Sequence, residues 1–160
     1  MMQHAPLFIV LLPVSAALLC MLFSRIQKNL GSWIVIGSIA AAFMSAVTVL
    51  QQVIADGGKP IHYWMGNWQP PLGIEFVIDP ISGVLAVLIT FISLLGSLYS
   101  LPFVKEEGWL HIGGYYTLYG LMTVGMCGMV ITGDVFNLYV FLEVMSLSGY
   151  GLIALGGKKS

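Results

Sequence analysis

Val135 to Leu155 reads VFNLYVFLEVMSLSGYGLIAL, 21 residues in which Glu143 is the one charged side chain. A hydrocarbon core of roughly 30 Å takes about 20 helical residues at about 1.5 Å each, so this segment is long enough to cross a bilayer. Nine positions beyond Asp134, the Glu143 carboxyl lies about 13 Å deep, close to the midplane. An ionisable group at that depth costs several kcal/mol on insertion unless it is protonated, paired or hydrated, so its presence points to a task.

The rest of the chain has the same character. It is 58% hydrophobic and 8% charged, with mean hydropathy +0.94, whereas soluble domains are about a quarter charged. Four further apolar segments, about 7–23, 31–54, 81–103 and 113–131, precede 135–155. The expectation is an all-α integral membrane protein of five transmembrane helices forming a single membrane domain over residues 1–160. Pro13 is placed to kink the first helix and Pro102 to close the third. Met1 to Phe23 has no basic n-region and no small-residue cleavage site, which favours a retained helix over a signal peptide.

Arg25, Lys28, Lys105, Lys158 and Lys159 fall on one side of these spans and Lys59 alone on the other. Positive residues stay cytoplasmic, so the N-terminus is expected outside and the C-terminus inside. The connection 55–79 then lies on the outer face. Its Gly57, Gly58, Pro60, Pro70 and Pro71 punctuate two short segments, Ile61–Trp64 and Ile74–Ile78, that read as a small hairpin between helices 2 and 3, with Tyr63, Trp64 and Trp68 suited to the headgroup layer.

Net charge is −1, from six basic and seven acidic residues. That balance offers no electrostatic footprint for nucleic acid. Cys20 and Cys127 lie in apolar runs and read as packing. Without Cys-x-x-Cys spacing or a histidine cluster the sequence indicates no metal site and no cofactor, so any redox chemistry belongs to a partner. A membrane enzyme acting on lipid or quinone lacks a nucleophile–base pair or a nucleotide loop. His4, His62 and His111 read as interfacial residues, and Glu75, Glu106 and Glu107 as solvated charges.

Residues three and four apart share a helix face, so Tyr139, Glu143, Ser146 and Tyr150 form one polar stripe. The hydroxyls are placed to bond the carboxyl or to order water beside it, which a proton site requires. Desolvation favours the protonated form of a carboxyl and an approaching cation the ionised form, so a moving positive charge switches such a site. Asp134 follows the breaker Thr132-Gly133 and reads as a helix cap or as the point where ions come in. Asp79 before Pro80 reads as a second cap. Close helix contacts are expected from Gly120, Gly125 and Gly128 in the fourth span and Ser146, Ser148, Gly149 and Gly151 in the fifth.

The run Thr132-Gly133-Asp134-Val135-Phe136-Asn137-Leu138-Tyr139-Val140-Phe141-Leu142-Glu143-Val144-Met145 resembles a motif of the antiporter-like membrane subunits. That family is shared by Mrp cation/proton antiporters, membrane-bound hydrogenases and respiratory complex I, and the Asn-Leu-Tyr-Val version is similar to the D-type subunits of Mrp. Ile78-Asp79-Pro80-Ile81-Ser82 and Leu98-Tyr99-Ser100 extend the resemblance over roughly residues 60–155. It implies a subunit, or the N-terminal part of one, that carries protons or exchanges them for sodium beside other membrane subunits. It also implies that Glu143 works with a lysine in a later span, a role Lys158 and Lys159 do not fill from their connection. A fragment, a split subunit and a short assembly subunit all fit this length. The alternative function is a structural or assembly subunit whose buried Glu143 only stabilises helix packing.

Overall fold

A backbone surrounded by hydrocarbon must pair its N–H and C=O groups internally, and each apolar run does so as an α-helix. The computed structural model describes residues 4–27, 29–67, 73–104 and 109–156. In order the elements are α1 (Ala5–Ile26), α2 (Leu30–Ala55), β1 (Ile61–Trp64), a 3-10 turn (Met65–Asn67), β2 (Glu75–Ile78), α3 (Pro80–Val104), α4 (Trp109–Ile131) and α5 (Val135–Gly156). Among the described residues five helices are long and apolar enough to cross a membrane. The protein is therefore a multi-pass, all-α membrane protein carrying one small pair of strands.

At their ends the helices run past the apolar segments, because backbone pairing continues where the hydropathy pattern stops. The longest such extension is Trp109 to Ile112 at the start of α4. Pro13 lies inside α1, and Pro102 lies inside α3, which ends at Val104. Lys28, Lys105, Lys158 and Lys159, on which the orientation leans, lie outside the described residues, as do Trp68, Pro70, Pro71, Glu106, Glu107 and the His111 side chain.

α1 packs on α2 and α4, and α3 packs on the other side of the same two helices. Ile9, Val49, Val53, Phe76, Cys127 and Ile131 form one apolar layer near the strands. Cys20, Val35, Ile39, Ile112 and Tyr116 form a second at the other end. Lipid is as apolar as these side chains, so small residues and interhelical hydrogen bonds hold the bundle. The α3–α4 seam shows this. The Tyr116 hydroxyl donates to Ser97 O at 3.0 Å and lies 3.1 Å from Ser100 Oγ, while the Tyr119 hydroxyl donates to Ser93 O at 3.0 Å.

β1 and β2 pair antiparallel, from Ile61 opposite Ile78 to Trp64 opposite Glu75. Three contacts place this pair at the end of the bundle where α5 starts. Gly133 N–H donates to Glu75 O at 2.9 Å, Phe76 bridges Thr132, and His4 Nδ1 lies 2.9 Å from the Tyr63 hydroxyl. The start of α3 is fixed by a reciprocal cap. Ser82 N–H donates to Asp79 Oδ1 at 2.7 Å and Asp79 N–H donates to Ser82 Oγ at 2.8 Å, with Pro80 at the first helical position. Those bonds, the Ser82 backbone N–H foremost, hold the Asp79 carboxyl below the usual carboxylate range.

Candidate functional site

α5 is positioned from its first turn. Asp134 Oδ1 accepts the Phe136 N–H at 3.1 Å, which is cap geometry. Thr132 Oγ1 accepts the Asp134 N–H at 3.3 Å and an Asn137 side-chain N–H at 3.1 Å. Asn137 is buried, so the turn is tied to the inner side of the helix.

From there α5 lies along α4, its one substantial neighbour among the described residues. Glycines on α4 allow the approach. A Cβ on Gly125 would sit 2.7 Å from Met145 Cβ, and one on Gly128 would run into the Phe141 ring. Gly151 is used in the same way, 2.8 Å from Leu118 for a built Cβ, whereas Gly149 meets nothing within 4 Å. Gly149 is thus not one of the expected close contacts. It borders an open groove of about 300 Å³ between the two helices, lined with Met122, Met126, Met145, Ser146 and Tyr150.

Of the predicted stripe, Tyr139 and Glu143 lie away from that contact. Glu143 is exposed, Tyr139 is 64% and Tyr150 69% exposed, and Ser146 is half-buried. Only 6% of the α5 span is buried, against 44% for α4. Glu143 is therefore at span depth and is not enclosed by the described residues. The physical reason is rotational: Phe141 and Met145 face α4, and residue 143 between them points the other way. The structure does not join the stripe by hydrogen bonds either. Ser146 Oγ donates to Leu142 O at 2.8 Å, the usual back-bond of a helical serine. Ser146 and Tyr150 share the groove, while Glu143 and Tyr139 lie about one and two turns nearer the start of α5.

A second polar cluster was not anticipated. Glu75 Oε1 accepts His62 Nδ1–H at 2.8 Å and Trp64 Nε1–H at 3.0 Å. It is not a free solvated charge, and His62 is not without a partner: theirs is the one carboxylate–imidazole contact of salt-bridge length among the described residues. The His62 bond first, then the Trp64 bond, holds the Glu75 carboxyl below its ordinary range.

No protein-family model matches the chain. The chain is 38% identical over all of its 160 residues to the N-type subunit of NADH-quinone oxidoreductase from Desulforudis audaxviator, of which it spans 32%. It is 29% identical over 161 residues to the D-type subunit of the Na+/H+ antiporter from Alkalihalophilus pseudofirmus, covering 99% of this chain and 31% of that protein. Among solved structures, the membrane-bound sulfane sulfur reductase, an archaeal respiratory membrane complex, matches with TM-score 0.86 and 30% identity over 99% of this chain and 31% of that one. The Mrp complex from Dietzia sp. DQ12-45-1b matches with TM-score 0.76 and 26% identity over 95% of this chain and 27% of that one. The chain spans about a third of the length of the curated relatives it matches. The likeness carried by Thr132 to Met145 thus extends from end to end, and the chain is similar throughout to the N-terminal portion of D subunits of Na+/H+ antiporters and of the N subunit of NADH-quinone oxidoreductase.

Proposed function

We propose that this chain forms the N-terminal portion of a proton-translocating membrane subunit in a multisubunit antiporter or energy-converting redox complex. Glu143 is its proton-accepting group, with Tyr139, Ser146 and Tyr150 beside it. The observation that carries this reading is the placement of Glu143 at mid-span on the face of α5 that no other described helix covers. Hydrocarbon is a costly neighbour for a carboxyl, so that face calls for further protein or for water. The much greater length of the relatives is in keeping with such a cover. The lysine of a later span, implied by the family resemblance, supplies the moving positive charge that loads and empties the site.

In this reading the N-terminus is outside, the C-terminus is cytoplasmic, the β1–β2 hairpin caps the outer face and the membrane is the inner cell membrane. Residues 1–160 act as one membrane domain, and the partners are the lipid bilayer and other membrane subunits of the complex. The ion is the proton, alone or in exchange for sodium. A purely structural role for Glu143 has less support, because α5 meets α4 through the opposite face.

Proton flux in everted membrane vesicles tests the proposal. Glu143→Gln is expected to abolish flux while the complex still assembles, and omitting sodium separates plain translocation from exchange. Flux near wild type in an assembled Glu143→Gln complex sinks it.

A further inference from the structure

Glu75 is held through its side chain and its backbone, and the two attachments reach different elements. On one side its Oε1 takes hydrogen bonds from His62 and Trp64 of β1. Trp64 is its direct partner across the strands and His62 the diagonal one, so all three side chains share a face. On the other side its carbonyl takes the Gly133 N–H of the α4–α5 turn at 2.9 Å. The next residue, Phe76, bridges Thr132 and is fully buried. A Cβ on Gly133 would run into Val77, so β2 lies flat on the turn. Thr132 Oγ1 then holds Asp134 and Asn137, and Asp134 caps Phe136. A continuous line of bonded groups leads from the His62 imidazole to the first turn of α5.

We propose that the His62–Glu75 pair is a pH-responsive clasp that positions the start of α5, tight while the imidazole is charged and looser when it is neutral. Its consequence for transport rests on the reading of Glu143 given above; the clasp itself does not. Imidazole is the side chain that changes charge around neutrality, and a charge-assisted bond to a carboxylate is shorter and stronger than a neutral one. The His62 side chain is 53% exposed and so open to water, while Glu75, at 20%, is the more enclosed partner.

The other ionisable groups around the hairpin are Asp56 and Lys59 after α2, Asp79 before α3, His4 and Tyr63, and Asp134 on the turn. Asp79 is committed to Ser82, His4 to Tyr63 and Asp134 to Phe136, and among the described residues none forms an ion pair with Glu75. The acid limit of the clasp follows. Glu75 is held below the usual carboxylate range, so the charged pair survives acidification past that range and is lost only as pH falls through the depressed value.

Amide hydrogen exchange in the full-length protein, reconstituted in lipid nanodiscs, reads the clasp directly. The probe is the protection of residues 132–138, corrected for the intrinsic pH dependence of exchange. Between about pH 5.5 and about pH 8.5, on either side of imidazole titration, protection in the wild type is expected to fall by about fivefold, the upper end of what an exposed ion pair contributes. Glu75→Gln and His62→Gln each keep a neutral hydrogen-bonding group and are expected to remove the step. A merely structural hairpin gives no step in the wild type. No step in the wild type, or a step that survives in either variant, overturns the proposal. Since the readout is exchange and not transport, it can fail while the Glu143→Gln result stands, and the reverse.

Discussion

The Phe141 ring covers the bare backbone of Gly128, so closely that a Cβ there would strike three of its ring carbons. This one contact does much to set how α5 is turned. With Phe141 seated on α4 and Met145 against Gly125 one turn later, Glu143 is directed outward. Packing of apolar groups on one face thus decides what the polar stripe on the other face can meet.

Enlarging Gly128 is expected to break that registry. Gly128→Leu forces the ring and the helix away, at a cost of about 1–3 kcal/mol for an overpacked contact. Gly149→Ala is the matched control, because its Cβ would enter open space, and its effect is expected within about 0.5 kcal/mol. Thermal unfolding in detergent micelles compares the two. Equal stability of both variants contradicts the placement of Phe141 over Gly128.

The cap at the start of α3 gives a stability that depends on pH. Asp79 is held below the usual carboxylate range by the Ser82 backbone N–H and then by the Ser82 hydroxyl. A carboxyl depressed in the folded state contributes fully above its unfolded pKa and loses that contribution as pH falls through the folded value. Asp79→Ala is therefore expected to cost about 1 kcal/mol at neutral pH, as lost caps do, and the gap to wild type is expected to close at acid pH. Denaturation followed across pH checks this, and a gap that stays constant into acid argues against the cap.

The helices were legible because hydrocarbon allows one solution for a long apolar run, and the stripe Tyr139, Glu143, Ser146 and Tyr150 was legible from spacing alone. The direction of that stripe was not. Apolar residues flank the stripe on every side of α5, so hydropathy does not say which side meets α4; that is decided by Gly125 and Gly128 on another helix. Gly149 illustrates the same limit, since a small residue permits a close contact without requiring one. The His62–Glu75 pair escaped notice for a different reason. The two are 13 residues apart and meet only once β1 and β2 are in register, and residue-by-residue reading treats each as an isolated polar group. The buried ladder of Thr90, Ser93, Ser97 and Ser100 on α3 was open to discovery, because its spacing of three and four is plain in the sequence.

Asp134 admits a cleaner separation of roles than its position alone does. Its Oδ1 is engaged by the Phe136 N–H, and a serine hydroxyl at that place offers the same acceptor without the charge. Asp134→Ala is expected to destabilise by about 1 kcal/mol, and Asp134→Ser by a few tenths at most. If capping is the task of this residue, proton flux in vesicles follows stability, so Asp134→Ser transports as the wild type does and Asp134→Ala loses flux only in proportion to folded protein. Flux that drops in Asp134→Ser at unchanged stability assigns the carboxylate a part in gathering ions at the start of the Glu143 helix, since the charge is then the only thing the substitution has removed.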